Sequence, residues 1–215
     1  MLLNHFYKFI VLLPPRCASE SIKATLLSNI NNFKIKYTPT PLKKINHHHT
    51  LLQDNWVENI KDYVIFLPYR PLTSWVISCY SNYATNFENK VDLLNIEDFI
   101  LINNGVDNRY GPSMKGFDWF AHSPQNMLLK CGKLENFKKI IPIKYNQYYS
   151  EFYFHINTLF GPIPPFKKEI FHKNSFHSRM LSFNAMYEKV LIDLCCPLGK
   201  DFEENLYWKI NGCKL

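Results

Sequence analysis

The chain has 215 residues, of which 47% are apolar and 16% aromatic, a composition that excludes a disordered segment and describes a single folded domain, residues 1–215. Lysine and arginine number 25 against 18 acidic residues, a formal charge of +7, which favours an anionic partner such as a nucleotide or a sulfated or phosphorylated ligand. The cations come as scattered pairs such as Lys43-Lys44, Lys138-Lys139 and Lys167-Lys168, sparser than a nucleic-acid stripe, so no nucleic-acid partner is expected.

In chain order, Phe9 to Leu13 (FIVLL) is a short, partly β-branched run that reads as a buried strand. Pro14 and Pro15 end it. Arg16-Cys17-Ala18-Ser19-Glu20-Ser21 follows, small and polar, and then Ile22, Ala24, Leu26 and Leu27 recur at helical spacing. A strand, a turn with one cation and a helix start make a phosphate cradle, because first-turn N–H groups lack intrahelical partners and the helix dipole favours an anion. An ordinary connection capped by Ser19 or Ser21 is the plain alternative. The Gly-x-x-x-x-Gly-Lys-Ser/Thr loop is absent.

Phe33–Tyr37 alternates as a half-buried strand would, and Thr38–Leu42 is a proline-punctuated turn. His47-His48-His49 precedes a helix predicted over 51–60. Tyr63–Leu67 is a second buried strand, closed by Pro68, and Arg70–Tyr83 is a helix with Trp75, Val76, Cys79 and Tyr80 on one face. A short helix is predicted over 95–102, then a polar loop over 105–117 long enough to bind something. Asn126–Cys131 reads as a helix and Lys139–Lys144 as a strand interrupted by Pro142. An aromatic helix covers 145–160 and stops at Gly161; a stiff linker follows over 162–165. The last helix spans 179–193, its apolar stripe Leu181, Met186, Val190 and Leu194. Alternating strands and helices argue for a parallel sheet covered on both faces.

The six cysteines, Cys17, Cys79, Cys131, Cys195, Cys196 and Cys213, form no CxxC pair and no zinc spacing, as expected of reduced thiols in a cytoplasmic protein. No apolar run approaches the ~20 residues of a membrane span. The N-terminus has neither a charged leader nor a small-residue cleavage site, so a cytoplasmic location is expected.

Two segments match a known pairing. Pro15-Arg16-Cys17-Ala18-Ser19-Glu20-Ser21-Ile22 resembles the 5′-phosphosulfate loop of sulfotransferases, P-K-T-x-G-T-S. Arg70-Pro71-Leu72-Thr73-Ser74-Trp75-Val76-Ile77-Ser78-Cys79-Tyr80 resembles their 3′-phosphate motif, R-D-P-x-x-R-x-x-S-x-Y. The carbohydrate branch of the family is similar further on. His47–His49 lies about where that branch carries a histidine, Ser123-Pro124-Gln125 resembles its H-x-x-P-Q segment, and Asp201–Tyr207 its D-F-E-x-F-x-Y element. Arg16 stands in place of the loop lysine, Ser19 and Glu20 in place of Gly and Thr, Pro71-Leu72 in place of Asp-Pro, and Trp75 in place of the second arginine.

The resemblance implies a three-layer αβα domain with a central parallel sheet, of the P-loop-like sulfotransferase kind. It implies transfer of a sulfuryl group from 3′-phosphoadenylyl sulfate (PAPS) to a hydroxyl of a carbohydrate or similar small acceptor, leaving adenosine 3′,5′-bisphosphate and using no metal. Arg16, Cys17, Ala18, Ser19, Glu20, Ser21 and Ile22 would hold the 5′-phosphosulfate, with Arg16 also neutralising the leaving group. Arg70 and Ser78 would hold the 3′-phosphate. The acceptor hydroxyl needs a base, for which His48 or His49 is the natural candidate. His47, Arg109, Lys115, His122 and Gln125 are candidate acceptor contacts. A kinase-like phosphotransferase and a nucleotide-binding protein of the same fold with impaired catalysis are the alternatives. Glu20 and Trp75 favour the latter, and the missing Gly-Lys-Ser/Thr loop disfavours the former.

Overall fold

Short, nearly continuous apolar runs build a sheet that buries both faces. In the computed structural model, which describes residues 1–31, 33–35, 59–87, 95–103, 120–167, 169–170 and 185–199, the five strands are β1 (Leu2–Asn4), β2 (Phe9–Val11), β3 (Phe33–Ile35), β4 (Val64–Tyr69) and β5 (Lys139–Lys144). Their order across the sheet is β3-β1-β2-β4-β5. β2, β4 and β5 pair in parallel, with Phe9 level with Val64 and Val64 level with Lys139. β1 is antiparallel to both β2 and β3, so β3 runs in the same sense as β2 and only β1 opposes the rest. The expected parallel sheet therefore needs one correction, an antiparallel strand inserted beside β2. Leu2–Asn4 is too short for periodicity to reveal it. Its hairpin to β2 is held by the buried Asn4, whose Oδ1 accepts the Tyr7 N–H at 2.9 Å and whose Nδ2 donates to the Asn31 carbonyl at 3.2 Å.

Among the described residues six α-helices accompany the strands: α1 (Ser19–Asn29), α2 (Leu72–Phe87), α3 (Ile96–Asn103), α4 (Pro124–Lys130), α5 (Tyr148–Phe160) and α6 (Ala185–Cys195). Phe9, Val11, Val64, Phe66, Ile141 and Ile143 face one way, against Ile22 and Leu26 of α1 and Phe152 and Ile156 of α5. Ile10, Ile65, Leu67 and Ile140 face the other, against Leu128 of α4. Helices thus cover both faces of an α/β sheet. A third apolar cluster gathers Trp75, Val76 and Cys79 of α2, Phe99 and Ile100 of α3, and Leu191 and Cys195 of α6.

Two prolines expected to end or interrupt strands lie inside them. Pro68 pairs with Ile143 in β4, and Pro142 with Leu67 in β5. Neither costs a ladder bond that the sheet needs. The β2 ladder stops at Val11 opposite Phe66, short of Pro68, and β5 is an edge strand, where proline is tolerated. The last helix also differs from its expected stripe. Met186 is 62% exposed, and the buried seam runs through Leu191 and Cys195, with Val190 and Leu194 only flanking it. The predicted elements at 38–42, 51–58 and 105–117, and the first half of the helix predicted over 179–193, fall outside the described residues.

Phe152 is fully buried and packs on Phe66 with ring centroids 5.2 Å apart, joining α5 to the middle of the sheet. Phe152→Ala should lower unfolding free energy by about 3–5 kcal/mol in urea denaturation, the usual range for an aromatic removed from a core.

Candidate anion-binding site

The carboxyl ends of β2, β4 and β5 lie at one edge of the sheet, and the segments leaving them meet there. In open α/β sheets this is the edge where ligands bind. Residues 12–18 leave β2 and enter α1. The turn is built on two left-handed residues, Arg16 at φ 62° and Ala18 at φ 58°, on either side of Cys17. Such alternation curls backbone N–H groups toward a common concavity. Ala18 caps α1 with no side-chain bond, so neither Ser19 nor Ser21 acts as the cap.

The three consecutive carbonyls of this turn are each held by a side-chain donor from elsewhere. Ser19 Oγ donates to the Pro14 carbonyl. Trp75 Nε1 donates to the Pro15 carbonyl at 2.7 Å, and Arg70 Nη1 to the Arg16 carbonyl at a longer 3.5 Å. Trp75, 1% exposed, therefore fastens α2 to the turn. An indole in place of the resemblance's second arginine is here a strut and not a cation.

A polar seam on α2 meets the two arginines. Ser74, Ser78 and Asn82 recur every fourth residue and so share one helix face. Arg16 Nε donates to Ser78 Oγ and its Nη1 to Asn82 Oδ1, both at 3.0 Å. Arg70 Nε donates to Ser74 Oγ at 2.7 Å. The Arg70 guanidinium lies 4.6 Å from the centre of the Tyr145 ring. Tyr145 follows β5 as Arg70 follows β4, and the Tyr69–Lys144 register makes them level; the Tyr145 N–H donates to the Tyr69 carbonyl at 3.0 Å.

The electrostatics are one-sided. The only ion pair among the described residues is Lys23–Glu20, so neither guanidinium meets a described carboxylate within 4.0 Å. The acceptors that the arginines reach are hydroxyls, an amide and a carbonyl. Burial lowers the Arg16 pKa; the neighbouring Cys79 acts in the opposite sense, and the charge of Arg70 lowers it further. Cys79, fully buried, has its thiol pKa pushed well up by that burial. Arginine stays charged under these influences. A half-buried cation with neutral acceptors and a second cation beside it is stabilised most by an anion.

The remaining residues singled out in the sequence divide three ways. Glu20 pairs with Lys23 at 3.4 Å, which neutralises its charge at the α1 start. Ser21 is buried beside Tyr148. Cys17 packs its side chain into the third apolar cluster, while Ile22 lies in the core and closes the first turn of α1 through its N–H to the Ala18 carbonyl at 2.9 Å. His122 ends a 3₁₀ turn before α4 and is half-buried. Gln125 is fully buried, donating to the Gly199 carbonyl at 3.1 Å and accepting the Leu198 N–H at 3.0 Å, a clamp between α4 and the chain after α6. That places it in the packing between these two segments. His47, His48, His49, Arg109 and Lys115 lie outside the described residues.

Comparison with known protein families, with curated proteins and with solved structures finds no match. Sequence reasoning passed over Ser74 and Asn82, for which the Ser-x-x-x-Ser-x-x-x-Asn spacing was the available signal; the place of Tyr145 beside Arg70 needed the β4–β5 register. Among the described residues, no group of three or more His, Cys, Asp or Glu side chains is arranged to hold a metal ion.

Trp75→Phe keeps most of the packing and deletes the bond to Pro15. Stability should fall by about 1–3 kcal/mol, the range for a buried acceptor left unsatisfied. Inorganic sulfate should also protect the variant against thermal unfolding less than it protects wild type.

Proposed function

We propose that the protein is a sulfotransferase, binding PAPS at the edge formed by residues 14–18 and 70–82 and passing its sulfuryl group to a hydroxyl of a carbohydrate or similar acceptor, in a P-loop-like member of the αβα class. The observation that carries the reading is the convergence of Arg16 and Arg70, from two motifs 54 residues apart, with no described carboxylate to neutralise either. Sulfuryl transfer asks a protein for position and for charge neutralisation on the leaving group, with little covalent work. PAPS supplies an activated sulfuryl group and a separate 3′-phosphate, and two cations on one scaffold, each bonded to its own serine, suit two separate anionic groups.

In this reading Arg16, with the N–H groups opening α1, holds the 5′-phosphosulfate and offsets charge as it develops on the leaving phosphate. Arg70 holds the 3′-phosphate, kept in place by Ser74 and by the Tyr145 ring. Ser78, which accepts from Arg16, stands one helical turn from Ser74 and serves the same phosphate edge. His48 or His49 takes the proton of the acceptor hydroxyl, a role that rests on the resemblance alone. A second reading, a nucleotide-binding protein of the same fold without turnover, is favoured by Trp75 and its bond to Pro15, where the resemblance has the second arginine of its 3′-phosphate motif.

Transfer of radiolabelled sulfate from PAPS to a panel of sugars tests the proposal. Turnover is expected, and Arg70→Ala should raise the donor KM by about ten- to a hundredfold, matching roughly 1.5–3 kcal/mol for a charge-assisted hydrogen bond. His48→Ala or His49→Ala, whichever removes the base, should abolish turnover with donor affinity unchanged. Donor binding without transfer to any hydroxyl would favour the binding-protein reading.

A further inference from the structure

The opposite edge of the sheet carries a second basic feature that the proposed chemistry does not use. At the amino ends of β2, β4 and β5 lies an open groove of about 670 Å³, lined by Phe6, Tyr7, Lys8, Lys61, Lys138 and Phe160 among others. The register explains why these residues meet. Phe9, Val64 and Lys139 are level, so Lys8, Tyr63 and Lys138, each one residue earlier, form a row across three strands. At ~4.8 Å per strand the row is about 10 Å wide.

The three lysines are exposed, and none is ion-paired among the described residues. Lys8 Nζ lies 5.3 Å from the centre of the Tyr63 ring. Asp62 is the one acidic lining residue, and its Oδ1 accepts instead from Asn59 at 3.4 Å. Lys8 is also left-handed, at φ 53°, where glycine or asparagine would cost less. Phe6, at the tip of the β1–β2 hairpin, is 72% exposed and braced edge-on against Tyr7 with centroids 4.8 Å apart. An exposed phenylalanine alone is ordinary. One at the rim of an edge whose three lysines have no ion pair among the described residues is not.

We infer that this edge docks the protein on an anionic phospholipid surface, with Phe6 entering the headgroup–acyl boundary and Lys8, Lys61 and Lys138 meeting the lipid phosphates. An extended anionic surface fits because Lys8, Lys61 and Lys138 are all exposed on this one edge. A single-stranded nucleic acid would need several open ring faces in succession, whereas Tyr7 is half-buried and packed against Phe160 at 5.6 Å. Cations beside an anionic leaflet and one aromatic wedge make a reversible peripheral anchor. The inference stands independently of the sulfotransferase reading.

Flotation of the full chain with phosphatidylcholine vesicles, with and without phosphatidylserine, tests it. Binding is expected only with phosphatidylserine and should weaken as salt is raised. Replacing Lys8, Lys61 and Lys138 together by glutamine should lower affinity about a hundredfold, roughly fivefold per lysine. Phe6→Ser, at an exposed position where folding is not at stake, should lower it about tenfold. Binding to neither vesicle, equal binding to both, or variants that bind as wild type would overturn the inference. So would retention of single-stranded oligonucleotide through the same lysines while vesicles are ignored.

Discussion

Much of the site depends on one tethered turn. Between Pro14 and Ala18 the backbone passes twice through the left-handed region without a glycine, a conformation that surrounding structure must enforce. The enforcement is visible in the three carbonyl bonds from Ser19, Trp75 and Arg70. Two of those donors come from the β4–α2 junction and the first turn of α2, so the turn after β2 and the start of α2 are built as one unit. Parallel pairing of β2 with β4 makes this possible by delivering both chain segments to the same edge.

The same pinning sets the electrostatics. With each carbonyl occupied and the arginines bonded to hydroxyls and an amide, the positive charge is oriented without being neutralised by a described carboxylate. Orientation by neutral acceptors costs little when an anion arrives, because no ion pair has to break first. The buried thiols of Cys17, Cys79 and Cys195 in the cluster beneath form an apolar, low-dielectric floor, where charge interactions act more strongly than in water.

Much of this was legible in the sequence, for identifiable reasons. The strands at 9–13, 63–67 and 139–144 show because buried parallel strands are nearly continuous apolar runs. Arg16 and Arg70 show because each follows such a strand. What stayed hidden involves partners distant along the chain. β1 has too few residues to display a period, and the positions of Pro68 and Pro142 could be judged only once the ends of the neighbouring ladders were known. Trp75 read as a lost arginine because its indole bond reaches across 60 residues to a backbone carbonyl. Ser78 was matched with Arg70 by spacing, yet in the fold it accepts from Arg16, since Arg70 finds Ser74 one turn closer. Gln125, read from the resemblance as an acceptor contact, is satisfied by backbone at 198–199.

Arg16 and Arg70 are proposed to form one site for a ligand with two separate anionic groups. Calorimetric titration of the protein with adenosine 3′,5′-bisphosphate, AMP and ATP tests it most directly. The bisphosphate is expected to bind at least about tenfold more tightly than either of the others, the margin of an added charge-assisted contact at Arg70. Equal binding of all three nucleotides, or no heat with any of them, would contradict it.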